Sequence, residues 1–471
     1  MEIFHVSAEC YPIAKVGELA TIVASLSKYQ NISGNQTKVV VPFYDNAFAK
    51  STIFEEVYSG ELHLGWFRFS FTILKEKSNS LGFELFQINI PELFDRPNIY
   101  SYEDDTERFV AFQIAFLDWI STTHQKPSII HCHEHHTGLI PFMLKHCFSF
   151  FTLKETPTVV SIYNAKHQGA FSSDKLNYFP TFDQSKIGLL EWDGMINPLA
   201  SAIRCAWKIT TVSPSHLDGM SCNANGLENL LQYEKQKSTG ILNGIDTDVW
   251  NPKTDSMLIE KYDSENFESG KHKNKEFVCE LYNLDSTKPL FTFIGELTPE
   301  KGADLLSEIC SMTLNEIPKE INILVLGKED NALGKSLLGL KNFYFGYFNS
   351  SMNYNEKLEH LIFAASDFLL IPSRAESCGS NQMVALQYGT IPIVRRVGGL
   401  KDTVLDIGDG GFGICHDQTN VYDVNHSIKR AINLYADNVE LNSVIKTAMK
   451  IDHSWKNTAK KYIQIYESIT T

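Results

Sequence analysis

Apolar and polar positions alternate along the first half of this chain in a pattern typical of strands separated by helices. Candidate strands are "EIFHVSAE", "TKVVVPFY", "SIIHCH", "TPTVVSIYN" and "KITTVSPS". Between the first two lies a helical pattern, "VGELATIVASLSKYQ". Strands that alternate with amphipathic helices predict a mostly parallel sheet covered by helices on both faces.

One early segment departs from this pattern, because "GWFRFSFTILKEKSNSLGFELFQIN" alternates with a period of two about a polar turn. Such alternation predicts a β-hairpin inserted into the sheet. The chain then becomes polar around residues 250–285, where we place the segment between two domains. Beyond it, the strand candidates are "PLFTFIG", "INILVLG", "KNFYFGYF", "DFLLIPS" and "TIPIVRR". The pattern therefore predicts an α/β protein with two doubly wound domains.

Composition narrows the possible functions. The chain has 471 residues, a net charge of −14, 43% hydrophobic residues and 21% charged residues, which is typical of a globular protein. The acidic balance argues against a nucleic-acid partner. We find no apolar run that would span a membrane and no pattern of a signal peptide. The 9 cysteines are scattered and odd in number, which indicates a reducing cytoplasm.

Loops that follow candidate strands hold the residues with useful chemistry, since ligands of doubly wound domains bind at the carboxyl ends of strands. Lys15 and Gly17 open a helix after the first strand, and Gly398 and Gly399 open another after "TIPIVRR". Both are candidate anion sites, although an ordinary helix start or a tight turn would leave the same pattern. Glu376, after "DFLLIPS", is either a ligand for a sugar or a solvated loop acid.

The segment "HCHEHHTGL" carries four histidines, which raises the question of a metal site. The spacing does not match H-E-x-x-H, because Thr137 stands where the second histidine would be. His131 and His133 share one face of a strand, but the sequence offers no obvious third ligand. We therefore favour buried, hydrogen-bonded imidazoles over a metal site, and we regard Glu134 as the better functional candidate.

Several longer motifs give the chain a family resemblance over nearly its whole length. They include "SAECYPIAKVG", "HEHHTGL", "GILNGIDTDVWNP", "LTPEKGADLL" and "SRAESCGSNQMVALQYGTIPIVRRVGGLKDTV". In these motifs the chain resembles the bacterial starch/glycogen synthase family. The resemblance implies a GT-B fold, in which two Rossmann-like domains face each other across a cleft. It places an N-terminal, acceptor-side domain at 1–248 and a C-terminal, nucleotide-sugar domain at 249–452. A final helix at 453–471 is expected to cross back to the N-terminal domain.

The resemblance also implies roles for individual residues. Glu376 matches the family's catalytic-site glutamate, and Lys301 matches the lysine that neutralises the donor diphosphate. Lys15, which is also implied to be catalytic, matches the lysine of the family's nucleotide-sugar loop, K-x-G-G-L. The donor-binding positions implied by the motifs are Lys15, Gly17, Asn243, Lys301, Cys378, Gly379, Gly398 and Gly399. The positions implied on the acceptor side are Glu9, Tyr100, Glu134 and Asn164.

The implied reaction is glucosyl transfer from ADP-glucose to the non-reducing end of an α-1,4-glucan, with retention of configuration. Neither a metal nor another cofactor is expected. The expected partners are the nucleotide sugar and the glucan, with no nucleic acid and no membrane. Cationic side chains and helix N-termini would stabilise the departing ADP.

Several positions depart from the family pattern, and they are not scattered but lie in the motifs of the implied active site. Glu18 replaces the second glycine of K-x-G-G-L, and Glu296 replaces the arginine that accompanies Lys301. Tyr163 replaces the histidine of I-H-N, Thr21 replaces an aspartate, and Glu134 replaces the aspartate of H-D-x-H. Two new carboxylates near a diphosphate would repel it. This leaves a second hypothesis, a catalytically impaired homologue that binds glucan or serves a regulatory role.

Overall fold

The computed structural model describes residues 1–123, 126–328 and 332–470 of the chain. It divides into two compact units. The first unit comprises Met1–Ile241 and the C-terminal residues from Trp455, and the second comprises Leu242–Ser454. The first unit thus ends at Ile241, whereas the sequence analysis set the domain change at residue 248.

The strands of the first unit follow the alternation expected from the sequence. They are β1 (Glu2–Val6), β2 (Gln36–Pro42), β3 (Phe54–Leu64), β4 (Phe67–Glu76), β5 (Glu84–Asn89), β6 (Ile129–His133), β7 (Thr158–Ser161), β8 (Glu191–Trp192), β9 (Met195–Ile196), β10 (Lys208–Thr211) and β11 (Ser238–Gly240). Within the described ranges, nine strands form one sheet in the order β11-β10-β7-β6-β1-β2-β5-β4-β3. The strands that follow β1 in sequence are added on one side of it, starting with β2, whereas β6 is added on its other side. The strand order therefore reverses between β1 and β6, and the loops after these two strands meet.

Helices cover this sheet: α1 (Glu18–Ile32), α2 (Ala47–Ser51), α3 (Asp105–Ser121), α4 (Ile140–His146), α5 (Pro198–Cys205), α6 (Pro214–Met220) and α7 (Glu228–Tyr233). The first of them is amphipathic in the expected way, since Val23, Leu26 and Gln30 recur at helical spacing and are all buried. The buried amide of Gln30 is unusual on such an apolar face.

The predicted β-hairpin is confirmed, because β4 and β5 pair antiparallel about the polar segment. The sequence analysis missed β3, which pairs with β4 along its length and forms the edge of the sheet. Its first residues are largely exposed and include Glu55 and Glu56, so the strand has little of the apolar signal used for the others. Charged residues on an edge strand hinder pairing with other chains.

The second unit has a parallel sheet of its own. Its strands are β12 (Leu290–Glu296), β13 (Asn322–Lys328), β14 (Phe348–Ser351), β15 (Phe368–Ile371), β16 (Ile391–Arg395) and β17 (Ile414–His416). Their order is β14-β13-β12-β15-β16-β17, which reverses direction between β12 and β15. The loops after these two strands therefore lie beside each other at the carboxyl edge of the sheet.

The helices of the second unit are α8 (Phe267–Tyr282), α9 (Leu306–Glu316), α10 (Ala332–Phe343), α11 (Glu356–Ala365), α12 (Asn381–Gln387), α13 (Gly398–Thr403), α14 (Val421–Ala436) and α15 (Asn438–Met449). The prediction of a strand over "KNFYFGYF" is wrong for most of its length. Residues up to Phe343 end α10, and β14 begins only at Phe348. Phe343 and Phe345 are exposed, so their apolar character reflects no buried strand.

The chain ends in α16 (Trp455–Thr470), which belongs to the first unit and packs against α1. Trp455, Tyr462 and Tyr466 are buried on one face of this helix, as its sequence pattern predicts. None of the helices in the described ranges is long and apolar enough to cross a membrane. All cysteines lie in those ranges, and each has a free thiol.

Candidate active site

Lys301 and Glu376 form an ion pair at the carboxyl edge of the second unit's sheet. Lys301 lies in the loop after β12 and Glu376 in the loop after β15, so the reversal of strand order brings them together. The Lys301 Nζ donates to both carboxylate oxygens of Glu376, at 2.7 and 2.9 Å. The side chain of Glu376 is 7% exposed, whereas that of Lys301 is 34% exposed. The ion pair thus joins a buried carboxylate to a partly exposed ammonium, and solvent can reach it.

Gly398 and Gly399 pack directly against the loop that carries Glu376. Gly398 has φ +45, and a Cβ built on it would overlap the carbonyl oxygen of Glu376. The backbone N–H of Gly399 donates to the same carbonyl at 3.3 Å. A Cβ on Gly399 would overlap the carbonyl oxygen of Cys378. Close backbone approach therefore explains both glycines within the chain itself, whether or not an anion binds there.

Two residues that the sequence analysis did not single out fix the loops around this pair. The Arg374 guanidinium bonds to the carboxylate of Asp304 at 2.8 Å, and the Arg374 N–H donates to the carbonyl of Glu300 at 2.7 Å. Gly302, at φ +73, allows its loop to approach the carbonyl of Pro372. Gly302 could have been singled out from the sequence, because it is a glycine between a strand-end loop and the following helix. Arg374 carried no comparable signal.

The other implied donor positions of the second unit are mostly buried. Cys378 is buried, and Gly379 has φ +72 between the side chains of Gln382 and Glu376. Asn243 is 8% exposed, and its Oδ1 has no hydrogen-bond partner among the described residues. An unsatisfied buried oxygen carries a free-energy cost, which a bound donor group would relieve.

Glu296 ends β12 and is exposed, with Lys328 of β13 as its register partner. Its carboxylate makes no ion pair within the described part of the chain, and the bonds of Lys301 described above go to Glu376. Glu296 thus lies at the end of β12, before the loop that carries Lys301, but it is exposed to solvent, and water screens its charge.

In the first unit, Glu9 holds the start of α1. One of its carboxylate oxygens accepts the backbone N–H groups of Val16 and Gly17 at 2.6 and 3.1 Å. The other accepts the hydroxyl of Tyr100 at 2.7 Å. Two of the implied acceptor-side residues therefore contact each other, and both position the segment that carries Lys15.

Lys15, Gly17, Glu18 and Thr21 all lie exposed at or near the start of α1. The Lys15 Nζ is 5.5 Å from the ring centre of Tyr11. A Cβ built on Gly17 would meet no atom within 4 Å, and its φ of −130° suits any residue. Steric crowding within the fold therefore does not require a glycine at 17, although glycine is a favoured residue at this N-cap position of α1.

Glu134 holds the loop after β7. Its Oε1 accepts the backbone N–H groups of Tyr163 and Asn164 at 2.6 and 2.9 Å. Its own backbone has φ +61, which is strained for a residue with a Cβ. Burial raises the pKa of the Glu134 carboxyl to about 7, and the backbone bonds from Tyr163 and Asn164 oppose that rise.

Glu134→Gln is expected to remove part of the pH dependence of stability. The folded state holds a proton on Glu134 between about pH 4.5 and 7, so this residue lowers the free energy of unfolding as pH rises through that window. The effect amounts to roughly 3 kcal/mol. Glutamine keeps the accepting oxygen but does not titrate. The free energy of unfolding of the parent should therefore rise, relative to that of the variant, as the pH falls from 7 towards 5. Urea unfolding from pH 5 to 8 measures it. A stability difference that does not vary with pH would contradict the prediction.

The histidine cluster contains a third imidazole that the sequence analysis did not find. β1 pairs with β6 so that His5 lies opposite His131. The ligand atoms of His5, His131 and His133 lie within 4.8 Å of one another, and all three rings are fully buried. The structure therefore supplies, in His5, a third candidate ligand that was not obvious from the sequence. The preferred interpretation of buried, hydrogen-bonded imidazoles agrees with the structure, because His5 bonds to His133 and His131 bonds to the hydroxyl of Ser161.

Family models match both units of the chain. A starch synthase catalytic domain model matches residues 2–233, and a model of group 1 glycosyl transferases matches residues 275–450. A glycogen synthase of Flavobacterium johnsoniae is 54% identical over 469 residues, which cover 100% of this chain and 99% of that protein. The chain belongs to the glycogen/starch synthase family. A glycogen synthase of Streptococcus pneumoniae is 33% identical over 481 residues, which cover 100% of this chain and 100% of that protein.

Solved structures of GT-B glycosyltransferases resemble this member of the family. The catalytic domain of starch synthase IV from Arabidopsis thaliana, bound to ADP and acarbose, matches with a TM-score of 0.84 and 28% identity. The match covers 100% of this chain and 99% of that one. A sucrose-phosphate synthase of Thermosynechococcus elongatus matches with a TM-score of 0.61 and 15% identity over 99% and 98% of the two chains, which concerns the fold alone.

These findings decide between the two functional hypotheses. The protein is a glucosyltransferase of the glycogen synthase family with the GT-B fold. Nothing in the comparisons favours a catalytically impaired homologue, because the similarity to glycogen synthases extends over the full chain.

Proposed function

We propose that this glycogen synthase homologue transfers glucose from ADP-glucose to the non-reducing end of an α-1,4-glucan, with retention of configuration and without a metal. The observation that carries the proposal is the ion pair between Lys301 and Glu376 at the reversal of strand order in the second unit. The ADP and acarbose bound to the Arabidopsis starch synthase support a nucleotide donor and a sugar-like ligand.

The charges of this pair match the transition state of glucosyl transfer. As the glycosidic bond breaks, negative charge grows on the leaving diphosphate and positive charge grows on the glucosyl group. We assign the diphosphate to the Lys301 ammonium and the glucosyl group to the Glu376 carboxylate. Because the two side chains hold each other before substrate binds, little reorganisation is needed when the charges develop.

Further donor contacts come from residues around the pair. Gly398, Gly399, Cys378 and Gly379 form the backbone against which the phosphates would lie. We assign the unpaired Asn243 Oδ1 to a hydroxyl of the donor. In the first unit, we assign Lys15 and Gly17 to nucleotide-sugar binding from their match to the K-x-G-G-L motif, and a Cβ built on Gly17 would meet no atom within 4 Å.

The acceptor glucan is assigned to the first unit. Glu9 and Tyr100 bond to each other, and Glu134 fixes the backbone of Tyr163 and Asn164. We propose that the exposed Asn164 amide binds a glucan hydroxyl directly, whereas Glu9 and Glu134 position the loops. The free thiols fit a reducing compartment, and we place the reaction in the cytoplasm.

Incubation of the purified protein with labelled ADP-glucose and glycogen tests the proposal. We expect label in the polymer at a turnover of roughly 1–10³ s⁻¹, the usual range for enzymes. The new linkages should be cleaved by an α-1,4-specific amylase. Labelled UDP-glucose serves as the matched donor control. Failure to label glycogen from ADP-glucose, with a folded protein, would reject the proposed donor and return the impaired homologue to consideration.

A further inference from the structure

An aromatic groove lies on the surface of the second unit. It is lined by the rings of Phe343, Tyr344, Phe345 and Tyr347, with the buried Leu314 of α9 among them. Its volume is about 280 Å³. Phe343 is 82% exposed and Phe345 is 74% exposed. Single apolar residues on a surface are ordinary, but several aromatic rings that line one groove indicate a binding surface.

The groove is formed by two turns at the amino edge of the sheet. One turn joins α9 to β13 and the other joins α10 to β14, and these two strands are parallel neighbours. Lys301 and Glu376 lie at the carboxyl edge of the same sheet. Because β13 has 7 residues, the two edges are about 20 Å apart. A ligand in the groove would therefore leave the proposed catalytic position open.

Backbone hydrogen bonds hold the segment that presents the rings. The N–H groups of Tyr347 and Phe348 both donate to the carbonyl of Tyr344, each at 3.0 Å. The carbonyl of Tyr347 accepts the N–H of Ile323 on β13 at 2.9 Å. Gly346 has φ +86, which suits a glycine in this tight turn. The backbone under the rings is therefore ordered before a ligand binds, which lowers the entropy cost of binding.

Polar groups accompany the rings. The Tyr344 hydroxyl donates to the Oδ1 of Asn315 at 3.1 Å. A hydroxyl and an amide can each form more than one hydrogen bond, so this exposed pair keeps donors and acceptors for a ligand. The Lys319 Nζ is 5.9 Å from the ring centre of Tyr347, and Lys319 is the one charged residue among the described residues that line the groove. The groove thus combines apolar faces and hydrogen-bonding groups with little charge.

This combination suits an uncharged sugar polymer. A glucose ring carries C–H groups on its faces and hydroxyls at its rim, so an aromatic ring can cover a face while polar groups bond to the hydroxyls. A nucleotide or another anion would need several cations. A protein partner would need about 20–30 residues on each side, with few charges at the centre. Here 8 residues line the groove, and the exposed Glu316, Glu320 and Lys341 are close to them in the sequence.

We propose that the aromatic groove is a second, non-catalytic binding site for α-1,4-glucan. The choice of glucan rests on the proposed function, whereas the shape and chemistry of the groove do not. A glycogen branch held in the groove keeps the other chain ends of the same polymer close to the protein. The effective concentration of acceptor ends therefore rises. A short oligosaccharide cannot extend from one edge of the sheet to the other, so it does not benefit.

Electrophoresis in native gels with and without glycogen tests the site in the absence of any donor. We expect the double variant Phe343→Ala/Phe345→Ala to raise the apparent Kd for glycogen about tenfold, because a second linked site is lost. Both rings are exposed, so the variant should keep the stability of the parent. Tyr422→Ala is the matched control, since Tyr422 is 75% exposed on α14 but does not line the groove, and it should bind glycogen as the parent does.

Kinetics then separate the groove from the catalytic site. The double variant should raise the KM for glycogen about tenfold, with unchanged kcat and unchanged KM for maltotriose. Equal binding of glycogen by the parent and the double variant, an equal loss in Tyr422→Ala, or an equal rise in the KM for maltotriose would each overturn the proposal. A parent that sediments as a dimer, with a monomeric double variant, would overturn it in favour of an interface between two copies. Absence of glucosyl transfer in the parent would reject the proposed function, and the gels would still decide whether the groove binds glucan.

Discussion

Glu376→Gln is expected to lower kcat for glucosyl transfer by about 10²–10³-fold, the usual effect of removing one group that stabilises a transition state. Glutamine has nearly the same shape, so the loop should keep its contacts with Gly398 and Gly399. It has no charge, however, and cannot stabilise the positive charge that develops on the glucosyl group. It also leaves the Lys301 ammonium without the carboxylate that now accepts two bonds from it.

Initial rates with ADP-glucose and glycogen measure this effect, and Glu300→Gln provides the matched control. Glu300 is exposed in the same loop as Lys301, and its backbone carbonyl is the group that bonds to Arg374. We therefore expect this control to stay within about threefold of the parent, since surface substitutions usually have small effects. If Glu376→Gln also stays within that range, Glu376 does not take part in the chemistry.

Lys301→Met examines whether the two residues act as a unit. Groups that stabilise one transition state together give losses that do not add. The double variant should therefore be little slower than the slower single variant. Additive losses would indicate that Lys301 and Glu376 act on separate steps.

The sequence was sufficient to predict the positions of these residues but not their contact. Alternating strands and helices place Lys301 and Glu376 in loops at the carboxyl edge of a parallel sheet. Whether the two loops are neighbours depends on the strand order, and β12 and β15 lie far apart in the sequence. The same limit applies to His5, which joins His131 only through the register of β1 against β6.

Other predictions failed because local apolar content was taken as burial. The aromatic segment around Phe345 was predicted to be a strand, but α10 extends to Phe343, and both Phe343 and Phe345 are exposed. The edge strand β3 was missed because its acidic residues hide its pattern. Glu296 was expected beside the diphosphate from the family pattern, and the structure adds that it is exposed, which weakens its repulsion. Solvent exposure depends on tertiary packing, which no short stretch of sequence encodes.

Gly398→Ala is expected to destabilise the second unit by about 3 kcal/mol, the sum of overpacking and left-handed backbone strain. The added Cβ would overlap the carbonyl oxygen of Glu376, and φ at this position is +45. The loop must therefore shift, which would move the Glu376 carboxylate away from Lys301. We expect transfer activity to fall at least about 10²-fold, since even a shift of roughly 1 Å at a catalytic group has this effect.

Gly410→Ala separates the two contributions. Gly410 lies in the same unit with φ +76, but a Cβ built there would meet no atom within 4 Å. This variant carries the cost of the backbone conformation alone, about 1 kcal/mol, and should keep its activity. Urea unfolding curves and initial rates measure both effects. Equal curves for the two variants would show that close approach to the Glu376 carbonyl does not require a glycine at position 398.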